Sequence, residues 1–171
     1  MSLPVEVHSF AIDSPLGMLS GLCTRQHFFA LTFHDFPAIL KKTAKRLPEA
    51  KKGSPAFVEQ LAGELEEFFG GKRAQFRVPI ELYGSEFQKN VWRAVQTIPY
   101  GSTTTYAHIA AQLGRPNGTR AVANAVAANP LLILIPCHRV IGSDGRLRGF
   151  SGGIENKRAL LEREGQTQFS I

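Results

Sequence analysis

Leu131-Leu132-Ile133-Leu134-Ile135 is an unbroken apolar run closed at both ends by proline, and it leads directly into Cys137-His138-Arg139. A run this uniform has no polar face to offer water, and its length suits a strand buried on both sides. The chain must therefore build a core around it and present the residues that follow from inside. A thiol delivered this way, beside a histidine and cationic side chains, can be held as a thiolate, the form that attacks carbon. The same position also suits an inert buried cysteine. Adjacent strand residues point to opposite faces, so any coupling of Cys137 to His138 has to be indirect.

The 171 residues suffice for one ordinary domain or two small ones. Before Ser85, the apolar stretches 5–12, 18–23 and 27–33 alternate with turn signals such as Asp13-Ser14-Pro15-Leu16-Gly17. They read as a small antiparallel sheet. Lys41 to Ser54 is lysine-rich and reads as a solvated helix end and loop, whereas 57–69 has helical spacing and stops at Gly70-Gly71. Ala74 to Leu82 is strand-like.

From Ser85 the pattern is helical. Ser85 and Gln88 form a capping box, Phe87, Val91, Trp92, Val95 and Ile98 form a buried stripe, and Pro99 ends it. Helices over 105–113 and 119–128, joined through Arg115-Pro116-Asn117-Gly118, make a helix-turn-helix candidate; an ordinary packed pair has the same pattern. After Thr119, only Arg120 and Asn124 interrupt the Ala and Val of the second helix. Asp144-Gly145 marks a tight turn, Gly149 to Gly153 a glycine-rich loop, and 155–164 a last helix stopped by Gly165. On composition alone Glu164 is a surface acid, unless it folds back to orient His138. The expected fold class is α+β. Residues 1–84 form a supporting sheet-and-helix domain, and 85–171 a mainly helical domain with the helix-turn-helix and the active-site strand.

Of the net charge of +6, nearly all lies from Ser85 onward, where ten Lys and Arg face five Asp and Glu. Such a surface favours a polyanion through counterion release, without by itself specifying nucleic acid. The N-terminal stretch has no basic-then-apolar leader and no window is long and apolar enough to span a bilayer, so an intracellular protein with no membrane partner is expected. Cys23 and Cys137 are the only cysteines, too few and too far apart for a disulfide framework.

The stretch Ile135-Pro136-Cys137-His138-Arg139-Val140-Ile141-Gly142 closely resembles the active-site signature of the O6-alkylguanine-DNA alkyltransferases. Asp13-Ser14-Pro15-Leu16-Gly17, Ile98-Pro99-Tyr100-Gly101, Thr105-Tyr106, Arg120-Ala121-Val122, Asn129-Pro130 and Ser151-Gly152-Gly153 follow in that family's order and spacing. The resemblance covers nearly the whole chain and is weak only between about Lys41 and Ala74. It implies a ribonuclease-H-like sheet in the first domain and DNA repair by direct damage reversal in the second. One irreversible alkyl transfer would occur per molecule, from O6-alkylguanine, and by extension O4-alkylthymine, to Cys137.

By the same resemblance, His138 activates Cys137 through a water, Glu164 orients His138, and Asn129 braces the turn before the strand. Arg120, with Thr119 and Ala121, enters the minor groove as the damaged nucleotide flips out, and Tyr106 crowds the adjacent phosphate and meets guanine N3. Pro130 and Phe150 wall the alkyl group. The backbone N–H of Ser151, beside Gly152, meets guanine O6, and the carbonyls of Cys137 and Val140 take the exocyclic amine. The implied partner is double-stranded DNA carrying O6-alkylguanine, met by a monomer, with cooperativity along DNA left open. The implied location is cytoplasmic, or nuclear in a eukaryote.

The chain departs from the family's pattern in three places. Ala123, Asn124, Ala127 and Ala128 stand where glycines are common in the recognition helix, and Phe150 where tyrosine is common. Only Cys23 and His27 suit a zinc site that needs four ligands, so no metal and no cofactor are expected. Two other readings compete: a damage-recognition module without transfer, against which the presence of Cys137 argues, and a cysteine hydrolase, for which the basic helix-turn-helix has no use.

Overall fold

A computed structural model describes residues 6–34, 51–52 and 56–170. The chain forms two compact units, Met1–Leu82 and Tyr83–Ile171, the division falling two residues before the one read from the sequence.

In the first unit, β1 (His8–Ile12), β2 (Leu19–Cys23) and β3 (Phe28–Thr32) pair antiparallel in sequence order. The β1–β2 turn is held by Ser14, whose hydroxyl donates to the Gly17 carbonyl at 2.6 Å and accepts the Leu16 N–H at 3.2 Å. Gly21 lets the Phe10 ring cross the sheet, since a Cβ there would lie 2.2 Å from its Cζ. A fourth strand, β4 (Lys51–Lys52), pairs parallel with the start of β1, so these two residues extend the sheet where a loop was expected. Val5 and the remainder of 41–54 lie outside the described residues.

Helix α1 (Phe57–Phe69) buries Val58, Leu61, Leu65, Phe68 and Phe69, and ends where Gly71 turns left-handed at φ 72°. Residues 74–82 are not a continuous strand. Ile80 alone bridges to Phe28, because Pro79 offers a carbonyl to the Phe28 N–H but has no N–H to continue a ladder.

The second unit contains α2 (Glu86–Gln96), α3 (Tyr106–Gln112), α4 (Thr119–Ala127) and α5 (Ile154–Arg163). Ser85 and Gln88 cap α2 reciprocally, and Thr105 accepts the His108 N–H to cap α3. Trp92 Nε1 donates to the Ala125 carbonyl at 2.8 Å and ties α2 to α4. Phe87, expected in the buried stripe, is only partly buried and carries the Arg115 guanidinium 5.1 Å above its ring. Two short parallel strands, β5 (Thr104–Thr105) and β6 (Val140–Ile141), join the residues before α3 to those after Cys137. Among the described residues, no helix is long and apolar enough to cross a membrane.

The apolar run is buried throughout, as expected, but it is not a strand. Ile133 adopts a left-handed φ of 73°, the Ile135 N–H returns to the Leu131 carbonyl at 2.9 Å, and the segment closes into a tight turn. Asn129 supplies what strand neighbours would have given: its Nδ2 donates to the Ile135 carbonyl and its Oδ1 accepts the Leu131 N–H, both at 2.9 Å. Cys137 therefore starts a single 3-10 turn, Cys137–Arg139, in place of ending a strand.

Candidate active site

That 3-10 turn points successive side chains in different directions and lets each enter a different part of the core. Cys137 is 3% exposed, and His138 is fully enclosed. Asn129 Nδ2 donates to Cys137 Sγ at 3.0 Å, so the residue that braces the turn also touches the thiol. The α5 C-terminus brings in Glu164, whose Oε1 lies 2.7 Å from His138 Nε2. With Nε2–H donating to that carboxylate, Nδ1 is the free acceptor of the ring, buried and without a partner among the described residues.

Arg139 completes this cluster from the opposite side of Glu164. Its Nε donates to Glu164 Oε2 at 2.9 Å, its Nη2 to Oε1 at 3.0 Å, and its Nη1 to the Ile98 carbonyl at 2.7 Å. The Gly101 N–H adds a bond to Oε2 at 3.1 Å. Burial alone would raise the Glu164 carboxyl, but the hydrogen bonds from His138 and Arg139 outweigh it and hold the group down at about 2. Burial pushes the His138 imidazole below its ordinary 6.5, with Glu164 opposing, so the ring is neutral at pH 7 and able to accept a proton.

Burial also pushes the Cys137 thiol up, to about 11, against the pull of the Asn129 hydrogen bond and the Lys157 charge. The resting thiol keeps its proton, and activation has to remove it. Lys157 is fully buried on α5 and donates to the carbonyls of Val140 at 2.6 Å and Arg148 at 2.8 Å. Tyr106 donates its hydroxyl to the same Arg148 carbonyl at 3.0 Å, so the α3 N-terminus, β6 and the loop before α5 meet at this ammonium. Burial lowers Lys157 to about 8, with Cys137 opposing. Cys23, by contrast, is raised to about 12 by burial and sits in β2 of the first unit as an inert thiol.

Beside Tyr106 opens a cavity of about 660 Å³, lined on one side by Thr119 and Arg120 of α4 and on the other by Asp144, Arg148 and Gly149. Arg120 and Ala121 are exposed at the start of α4. Cys137, Pro130, Phe150, Ser151 and Gly152 do not line this cavity. Phe150 is buried, Pro130, Ser151 and Gly152 are partly so, and the Val140 carbonyl already receives Lys157 on one of its two lone pairs.

Residues 86–166 match the family described as 6-O-methylguanine DNA methyltransferase, DNA binding domain. The methylated-DNA-protein-cysteine methyltransferase of Mycobacterium bovis is 40% identical over 158 residues, which cover 92% of each chain. The chain belongs to this family. A methyltransferase of the same description from Mycolicibacterium paratuberculosis is 42% identical, over 90% of this chain and 89% of that protein. The fold agrees: a crystal structure of Mycobacterium tuberculosis O6-methylguanine methyltransferase aligns with a TM-score of 0.78 at 39% identity, over 92% of each chain. A structure of Mycobacterium tuberculosis OGT in complex with DNA aligns with a TM-score of 0.77 at 38% identity, over 94% of this chain and 92% of that one.

Within this methyltransferase fold, sequence reasoning missed two residues that act on Cys137 and its neighbours, Lys157 through its charge and Arg139 through its bonds to Glu164. Lys157 gave no signal, because a lysine in an amphipathic helix reads as solvated. Arg139 was legible only as a cation near Cys137; that it clamps Glu164 needed the fold.

Proposed function

We propose that this protein repairs alkylated DNA by taking the alkyl group of O6-alkylguanine, and of O4-alkylthymine, onto Cys137, once per molecule and irreversibly. The observation that carries this reading is the buried relay, in which a neutral His138 with a free Nδ1 is fixed by the ionised Glu164 while Asn129 holds the Cys137 sulfur. His138 takes the thiol proton through a bridging water, the thiolate forms the S–C bond, and the C–O6 bond breaks. The proton taken up by His138 passes back along the relay to the departing guanine, which leaves neutral, with Tyr106 at N3.

A base inside duplex DNA cannot reach a thiol that is 3% exposed, so the nucleotide has to leave the stack. Arg120, with Thr119 and Ala121 beside it at the α4 N-terminus, fills the gap, and the cavity beside Tyr106 is where the nucleotide passes. Pro130 and Phe150 wall the alkyl group, and Ser151 and Gly152 offer backbone to the base. The protein acts as a monomer on double-stranded DNA, supported by residues 1–84.

Single use separates this reading from a hydrolase. With damaged duplex in large excess, repaired guanine rises to one per protein molecule and stops. Continued release of product, or turnover of a small ester, overturns it.

A further inference from the structure

We infer that Arg148 is a phosphate-binding residue for the strand carrying the damaged nucleotide, and that Asp144 holds its guanidinium at the cavity mouth until DNA replaces the carboxylate. The inference rests on the functional reading above and assigns a contact that reading does not contain.

The backbone of Arg148 is fixed by the site itself, since its carbonyl receives both Tyr106 and Lys157. Its side chain, in contrast, is 58% exposed and runs back to Asp144, Nη2 to Oδ2 at 2.5 Å. The pair lies over Gly142: a Cβ there would come 2.5 Å from Asp144 Oδ1 and 2.9 Å from Arg148 Nε. Asp144 is held independently by the Arg146 N–H at 3.2 Å, so the carboxylate stays in place if the guanidinium leaves.

Among the described residues, Arg120 and Arg148 are the two cations lining the cavity and Asp144 its one acid. The Asp144 carboxylate is the sole hydrogen-bond partner of the Arg148 guanidinium among the described residues, which leaves the other N–H donors of its planar fork for a second anion. An exposed ion pair of this kind is weak and screened by salt, whereas a phosphate offers the fork a bidentate partner. A phosphodiester arriving at the mouth therefore competes with Asp144 for the guanidinium on favourable terms, and the carboxylate it displaces opposes it by charge repulsion, so removing that charge favours the phosphate.

The test uses the full chain and a duplex with one O6-methylguanine, with affinity measured across a salt series and methyl transfer followed by intact mass. Arg148→Met is expected to weaken binding about tenfold and to lower the salt slope by about one phosphate contact. Arg148→Lys restores the slope. Asp144→Asn tightens binding a few-fold. Arg158→Met removes the same charge from outside the cavity and keeps the slope. An unchanged slope in Arg148→Met, an equal drop in Arg158→Met, or weaker binding in Asp144→Asn overturns the inference. These outcomes are read against a wild type that transfers the methyl group; a wild type that does not would refute the functional reading instead.

Discussion

Glu164→Ala is expected to lower the free energy of unfolding by roughly 3–5 kcal/mol and to slow methyl transfer about a hundredfold. The stability loss arises because Arg139 remains buried with its guanidinium facing the space the carboxylate filled, and because Gly101 loses an acceptor. For a chain of this size that corresponds to a fall in Tm on the order of 10 °C. The rate loss has a different origin, since His138 is left without the acceptor that fixes its tautomer and ring plane.

The pH dependence distinguishes the two effects. Glu164 is depressed from 4.5 to about 2 in the folded protein, so it contributes stability above 4.5 that disappears as the pH falls toward 2. His138 is depressed as well, so the unfolded chain binds its proton first and stability begins to fall below about 6.5. In Glu164→Ala the limb below 4.5 should flatten while the His138 limb persists. A variant that melts like the wild type and keeps the same acid limb would contradict the assignment of Glu164 as the clamp.

Lys157→Met is expected to cut transfer by about two orders of magnitude with a stability change of only about 1–2 kcal/mol. Two opposing effects account for the small stability change. The carbonyls of Val140 and Arg148 lose a donor, but a buried ammonium with no carboxylate partner among the described residues is also removed. The Lys157 charge pulls the Cys137 thiol down, and without it the thiol rises further above about 11. Transfer rates measured from pH 6 to 10 should then show the largest deficit on the limb below about 8, where the wild-type ammonium is charged, and a smaller one above it as Lys157 itself loses its proton. A uniform drop across that range would mean that Lys157 only shapes the loop around Arg148.

Much of the fold was legible because its signals are local. The Ser85 and Gln88 capping box, the glycines that end α1, α3 and α5, and the helical spacing of Val91, Trp92 and Val95 each depend on neighbours a few residues away. The run Leu131 to Ile135 was misread for a physical reason. A buried strand and a buried turn are equally apolar, and the choice is made by the Asn129 side chain and by a left-handed Ile133 that no residue preference announces. Pairing of Lys51 and Lys52 with β1 was hidden in the same way, since two lysines carry no strand signal.

The site divided along similar lines. Cys137 and His138 were readable as a candidate nucleophile beside a candidate base, but Glu164 lies 26 residues beyond His138, and only the family resemblance connected them. Asn129 was expected as a brace, and its second bond, to the thiol, appears once the turn folds back on itself. Lys157 stayed invisible because nothing in its helix distinguishes a lysine bonded to carbonyls from one in water.

The most direct measurement is intact mass after incubation with duplex DNA carrying one O6-methylguanine, for the wild type and Cys137→Ser in parallel. The wild type should gain a single methyl group, mapped to Cys137, with a matching loss from the DNA, and the variant should gain none. A methyl group on the variant, or a wild type that binds the damaged duplex tightly with its mass unchanged, would contradict the account.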